Sequence, residues 1–290
     1  MNVPRVSVIV PTYNRTAAAG ACAAALLAQD YPPGRCEIIL VNDGGDVPRL
    51  PTNPRVRLVD APHGGPAAAR NFGARLAGGE LLAFTDDDCR PAAGWLSALV
   101  RAIGSEPDVM AGGTVANALR DNPLAEASAV LLSYLYDYMR AHAPALHFFA
   151  SNNLAAPTER FRLLGGFDER YPAAAGEDRD LSERWQTAGG RLRFAPDAVV
   201  WHHSDLTASG FWRQHARYGR AAYRFHAGRS LRAGAGPKVL GPGFYAGLLL
   251  RPFRGRSVRE AAPLAALLAL SQAANAAGFL AEALEQRRDR

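Results

Sequence analysis

Three consecutive carboxylates, Asp86, Asp87 and Asp88, follow the apolar run Leu81 to Phe84 in the stretch FTDDDC. Adjacent anions raise one another's pKa and weaken the folded chain unless something positive sits among them. Clustered carboxylate oxygens behind a strand suit a hard cation, Mg2+ or Mn2+, which keeps waters and takes further ligands from substrate phosphates. Asp86 and Asp88 would supply the D-x-D pair. A calcium loop does not fit, because Arg90, Pro91 and Trp95 stand where further oxygen ligands would be needed. Taken alone, the motif also reads as a plain acidic turn.

A second group is GEDRDLSERW, Gly176 to Trp185. Acids at a helix start complement its dipole, and Arg179 with Glu183, and Asp180 with Arg184, are spaced for i,i+4 pairs. Glu177 and Asp178 are left over, and either carboxylate at a helix N-terminus is a candidate general base for an attacking hydroxyl. In VVWHHS, His202 or His203 would complete a metal site if it shares a cleft with the acidic cluster, His202 being preferred. In HGGPAAARN, small residues before a helix permit close backbone approach, and Arg70 is available to a phosphate or to the acids. Neither G-x-G-x-x-G nor a Walker sequence occurs, which argues against dinucleotide binding and P-loop hydrolysis.

These groups follow apolar runs that alternate with Ala-rich helical stretches: VSVIV, Thr16 to Gln29, EIILV, VRLVD, Pro66 to Leu76 and ELLAF. The alternation predicts βαβ units and an α/β fold with a mostly parallel sheet and helices on both faces. The runs are continuous, as in strands buried on both sides. Each ends in a polar cluster, PTYNR, NDGG, APHGGP and TDDDC, so the carboxyl ends of the strands outline a binding edge. From Val109 to about Val200 the strand candidates VMAGGTV, HFFASNNLA and RLRFAPDAVV are separated by helical segments. Gly234 to Gly243 reads as a linker. The span 261–281 contains no charged residue and is long enough to cross a bilayer, although Ser271, Gln272 and Asn275 lie within it. A transmembrane helix, a surface-lying helix and a packed soluble helix all remain open.

With 290 residues, 48% of them hydrophobic, the chain can bury a substantial core. Its net charge of +6 is carried almost entirely by Arg and concentrates from Arg213 to Arg259 and at Arg287, Arg288 and Arg290, which points to a polyanionic neighbour. No nucleic-acid-binding signature accompanies the charge, so nucleotide phosphates or an anionic membrane surface are favoured and nucleic acid is not expected. Biased composition is the plainer reading. Cys22, Cys36 and Cys89 form neither a disulfide framework nor a zinc pattern, and no secretion signal is visible. The expected location is cytoplasmic, at most at the cytoplasmic face of the membrane.

The order PTYNR, VNDGG, GGPAAARN, FTDDDC, GGFDE, GEDRDLSERW and VVWHH, from about Val6 to about Tyr218, resembles the family 2 glycosyltransferases with the GT-A fold. The resemblance implies a Rossmann-like sheet in a transferase domain over 1–229 and a helical extension over 230–290. It implies that Pro11, Thr12, Tyr13, Asn14, Arg15 and Asp43 line the pocket for the donor's base and ribose. Arg70 then lies near the nucleotide and the acidic loop with Asp86 and Asp87, and Asp86, Asp88 and His202 hold Mg2+ or Mn2+. Gly165, Gly166 and Phe167 form a loop near donor sugar and acceptor. Asp178 looks like the catalytic base, with Glu177 beside it. The implied reaction is transfer of one sugar, with inversion, from a UDP-, GDP- or dTDP-sugar to a glycan or lipid-linked acceptor in cell-surface polysaccharide or glycolipid synthesis. The RQHARYG stretch only partly resembles the Q-x-x-R-W segment of processive members, so a polymer synthase is not expected. Two other readings are a non-catalytic sugar-nucleotide or glycan-binding module of the same fold and a sugar-phosphate nucleotidyltransferase. The second would need a Gly-rich, basic signature where PTYNR stands.

Overall fold

The computed structural model describes residues 3–144, 147–171, 175–233 and 240–288. The chain divides into two compact units, Met1–Ala118 with Ala145–His203, and Leu119–Pro144 with Ser204–Arg290.

The first unit is built on an eight-stranded sheet. Strands β1 (Val6–Thr12), β2 (Cys36–Asn42), β3 (Val56–Asp60) and β4 (Leu81–Phe84) run parallel in the order β3-β2-β1-β4. Beyond β4 the directions mix. Strand β7 (Leu154–Pro157) is antiparallel to β4 and to β6 (Val109–Asn117), β8 (Arg191–His202) is parallel to β6, and β5 (Cys89–Pro91) closes the edge antiparallel to β8. The parallel half is where the polar clusters expected at strand ends lie side by side. Of the stretch HFFASNNLA only its end joins the sheet, through β7.

Alternate residues of a strand face opposite sides, and β1 uses both. Val6, Val8 and Val10 share a core with residues of α1 (Thr16–Leu27) and α3 (Trp95–Ile103), among them Cys22, Leu26, Trp95 and Leu99. Ile9 points the other way, where Gly73 of α2 (Gly65–Leu76) comes so close that a Cβ there would lie 2.6 Å from the Ile9 side chain. Helices therefore cover both faces, as the continuous apolar strands predict. Two short helices complete the unit, α5 (Thr158–Leu163) and α6 (Glu177–Thr187). In α6 the expected pair forms between Asp180 and Arg184, 2.6 Å apart.

The second unit is helical: α4 (Pro123–His142), α7 (Ala208–Ala233), α8 (Pro242–Leu250) and α9 (Val258–Arg288). Asn122 caps α4 by accepting from the backbone N–H groups of Leu124 and Ala125 at 3.0 and 3.1 Å. Residue 229, expected to end the transferase domain, falls inside the continuous helix α7. Within the expected linker Gly234–Gly243, residues 234–239 lie outside the described residues, and α8 begins at Pro242. The span 261–281 is the middle of α9. Leu264 and Leu268 pack there into clusters with Phe211, Phe244 and Leu248.

Helices α7 and α9 cross backbone to backbone. A Cβ on Gly219 would stand 1.9 Å from the carbonyl oxygen of Asn275, and one on Gly278 would stand 1.9 Å from that of Ala216. Neither contact can relax by rotating a side chain, since both obstacles are main chain. Gly278→Val is expected to destabilise the protein by about 1–3 kcal/mol or more through overpacking, read as a lower midpoint in chemical denaturation. An unchanged midpoint would show that the helices do not meet at these glycines.

Candidate active site

The acidic turn forms at the end of β4, beside the ends of β1 and β8. Its carboxylates diverge. Asp87 is buried and accepts from Thr12 Oγ1 at 2.8 Å and from Arg15 at 3.2 Å. Burial nevertheless raises its pKa to about 6, against the pull of Thr12 and Arg15. Asp88 accepts from Arg15 at 2.6 Å, and its other oxygen lies 3.3 Å from His202 Nε2. Burial pushes Asp88 up, but His202 and Arg15 together outweigh it and hold the carboxyl below the ordinary range. In return, burial disfavours the charged imidazole of His202 while Asp88 favours it, and Asp88 prevails.

Strand register decides which histidine reaches the acids. Cys89 of β5 pairs with His202 of β8, which brings the imidazole to the acidic turn. His203 contributes its backbone, donating N–H to the Asp88 carbonyl at 2.8 Å. Asp88, Cys89 and His202 place their donor atoms within 4.8 Å of one another. The Cys89 thiol is fully buried and its pKa is pushed well up by burial, so the oxygen and nitrogen donors of Asp88 and His202 are the ones that suit a hard cation. Asp86 is not part of that cluster; a different partner holds it.

That partner is Arg70. Its guanidinium, 1% exposed, donates to Asp86 Oδ1 at 2.6 Å and to Glu177 Oε1 at 3.1 Å. It lies over the Phe167 ring, 5.6 Å from the centroid. One buried cation on α2 thus joins the end of β4 to the first turn of α6. Glu177 is buried, also meets Ser151 Oγ at 3.4 Å, and keeps its second oxygen buried without a hydrogen-bond partner among the described residues. Burial and the neighbouring Asp178 raise its pKa despite Arg70. Asp178 is half-buried and accepts from the Arg179 N–H at 2.7 Å; partial removal from water raises its pKa against the pull of Arg179. Of the two carboxylates at this helix start, Asp178 retains access to solvent.

The first-strand cluster and Asp43 lie on the neighbouring strand ends. Pro11 and Thr12 are buried within β1, and Asn14 holds a left-handed φ of 54° while its side chain accepts from the Asp46 N–H. Tyr13 stacks on His63 with ring centroids 4.6 Å apart and is 47% exposed, leaving an open aromatic surface. Asp43 is engaged by its own loop: its oxygens accept from Gly64 N–H at 2.8 Å and Gly65 N–H at 3.0 Å, and one lies 2.9 Å from His63 Nδ1. This carboxylate fixes the turn into α2 that carries Arg70.

The GGF loop is held by Asn71, a residue that sequence reasoning passed over. Asn71 donates to the Phe167 carbonyl at 2.8 Å and accepts from the Phe167 N–H at 2.9 Å. Gly166, at φ 69°, comes so close that a Cβ there would lie 2.4 Å from Asn71 Oδ1. Arg184 of α6 donates to the carbonyls of Leu164 and Gly166 at 2.7 and 2.6 Å. Phe167 is buried against Phe84 and Phe161 and beneath Arg70, so its ring packs under the Arg70 bridge. A polar Asn inside a helix that otherwise packs on the sheet was the available signal. Ser151 carried none.

Comparison with known proteins places this geometry in a family. The profile described as glycosyl transferase family 2 matches residues 7–155, and that of glycosyl transferase family group 2 matches residues 82–279. The pre-mycofactocin glycosyltransferase of Mycobacterium tuberculosis is 30% identical over 197 residues, covering 64% of this chain and 41% of that protein. The chain thus spans less than half the length of this curated relative. Among solved structures, the mannosyltransferase PcManGT from Pyrobaculum calidifontis, in complex with GDP-Man and Mn2+, superposes with a TM-score of 0.66 at 20% identity, covering 97% of this chain and 88% of that one. GalNAc-T7 with UDP, GalNAc and Mn2+ gives 0.56 at 17% identity, over 85% and 55% of the two chains. Both likenesses concern the fold, which is that of the GT-A glycosyltransferases. With matched sequence over more than half its length and the acidic turn, Arg70 and α6 joined in one site, the chain belongs to glycosyltransferase family 2.

Proposed function

We propose that the chain is a metal-dependent, inverting glycosyltransferase that moves one sugar from a nucleoside-diphosphate sugar to an acceptor hydroxyl. The observation that carries this reading is the Arg70 bridge, which sets the acidic turn and the carboxylate pair of α6 on one site. GDP-Man and UDP in the fold neighbours support a UDP-, GDP- or dTDP-linked donor. A glycan or lipid-linked acceptor, in cell-surface polysaccharide or glycolipid synthesis, fits the same reading.

Asp88 and His202 would hold Mg2+ or Mn2+, with Asp86 at the ribose or the metal, and the ion when bound would neutralise charge on the departing diphosphate. Tyr13 offers its exposed ring to the base, and Asp43 keeps the loop around that pocket in place. Asp178 takes the proton of the acceptor hydroxyl; its raised pKa brings it closer to the hydroxyl's own requirement than an ordinary Asp. The acceptor oxygen attacks the anomeric carbon from the side opposite the diphosphate. That carbon–oxygen bond forms as the bond to the nucleoside diphosphate breaks, and the configuration inverts. Glu177, buried and bonded to Arg70, is a support rather than a competing base.

Asp178→Asn should lower the transfer rate by about 10²–10⁴-fold, the usual worth of a general base, while donor affinity measured by calorimetry stays near wild type. Asp88→Ala should weaken donor binding in Mn2+ and abolish the difference between Mn2+ and chelator. Wild-type turnover in Asp178→Asn would sink the base assignment, and metal-dependent donor binding preserved in Asp88→Ala would sink the metal assignment.

A further inference from the structure

Helix α9 is turned inside out relative to a helix on a water-facing surface. Between residues 261 and 284 its polar side chains are buried or half-buried: Ser271 and Glu282 are buried, Ser271 Oγ donates to the Leu268 carbonyl at 2.6 Å, and the half-buried Gln272 donates back to Ser271 Oγ at 3.0 Å. Glu282 accepts from Arg224 at 2.7 Å and from Arg220 at 3.2 Å, both on α7. Outward the chemistry reverses. Every exposed position from 262 to 284 is Ala, Pro or Leu.

At 3.6 residues per turn these exposed positions fall within an arc of roughly 140°, and the strip they form is about 33 Å long. Leu270, Leu280 and Leu284 stand 41%, 62% and 58% exposed. Only 28% of the most apolar 18-residue window of α9 is buried, so this is not the core helix of a bundle. Exposed Arg259 precedes the strip, and exposed Arg287 and Arg288 follow it. By the same helical arithmetic, all three fall within the same arc.

A strip of this length, apolar throughout and flanked within its own arc by arginines, with exposed Glu260 and Glu285 outside that arc and bonded to Ser257 and Arg220, matches the layered chemistry of a lipid surface: acyl chains below, anionic headgroups at its margins. Spanning is the poorer fit. The inner face of α9 is committed to α7 through Gly219 against Asn275 and Gly278 against Ala216, so a spanning α9 would carry the exposed Arg217 of α7 toward hydrocarbon. We propose that the outer face of α9 is a membrane-docking surface that lies along the interface of a bilayer containing anionic lipid, with Leu270, Leu280 and Leu284 inserted and Arg259, Arg287 and Arg288 against headgroup phosphates. The proposal rests on α9 and not on the transfer chemistry, so its test needs no donor or acceptor.

The experiment is flotation of the full chain with phosphatidylcholine vesicles, with and without phosphatidylglycerol, alongside light scattering of the protein alone. Wild type should float with the anionic vesicles. Leu270→Glu/Leu280→Glu should reduce that binding about tenfold or more by charging the inserted face, with its thermal midpoint unchanged because both positions are exposed. Arg259→Gln/Arg287→Gln/Arg288→Gln should lose the preference for phosphatidylglycerol, and added salt should weaken wild-type binding in the same direction. The proposal is overturned if wild type stays out of the vesicle fraction or if the double Glu variant binds as wild type. It is equally overturned if the chain is a dimer that the double Glu variant makes monomeric, since the strip would then belong to a second copy.

Discussion

A buried guanidinium between two carboxylates is the constraint on which the site depends. Arg70 cannot be removed from water without partners of opposite charge, because the desolvation of an unpaired ion costs several kcal/mol. Its partners come from distant parts of the chain: Asp86 is 16 residues away and Glu177 is 107. Satisfying one cation therefore fixes where the end of β4 and the start of α6 must meet. The planar guanidinium, with its forked donors, can address two carboxylates at once in a way an ammonium could not.

The rest of the unit serves that geometry. Gly73 lets α2 sit close on Ile9 and Val41, and Asp43 fixes the turn that begins the helix. Asn71, the next residue after Arg70, ties the GGF loop beneath it. On the other side of the acidic turn Arg15 answers Asp87 and Asp88. The acids Asp86, Asp87, Asp88 and Glu177 are thus divided between two arginines of different character. Arg70 is sealed from solvent, whereas the side chain of Arg15 is 55% exposed.

Much of this was legible in the sequence. Continuous apolar runs between Ala-rich stretches match the strands and helices of the parallel half, and the polar clusters lie at the strand ends where they were expected. What depends on register and long-range pairing was not. Strand β5 is three residues long and has no run to announce it, yet its pairing selects His202 over His203. Glu177 and Asp178 are equivalent acids in sequence; burial separates them, and that burial depends on Arg70, far away in the chain. The orientation of the span 261–281 was hidden for a similar reason. The crossing at Gly219 and Gly278, with buried Leu264, Leu268 and Glu282, shows which side of α9 faces protein and which carries the bare Ala and Leu strip.

The most direct test of the Arg70 account is a double-mutant cycle on stability and transfer together, using Arg70→Met, Glu177→Met and both. Breaking a buried pair from one side leaves an uncompensated charge and costs about 3–5 kcal/mol, whereas replacing both partners with apolar residues is far less costly. The account predicts that Arg70→Met destabilises strongly, that adding Glu177→Met restores much of the loss, and that transfer stays impaired in the stable double variant because Asp86 and α6 are no longer tied together. Additive stability losses, or a double variant with wild-type transfer, would contradict it.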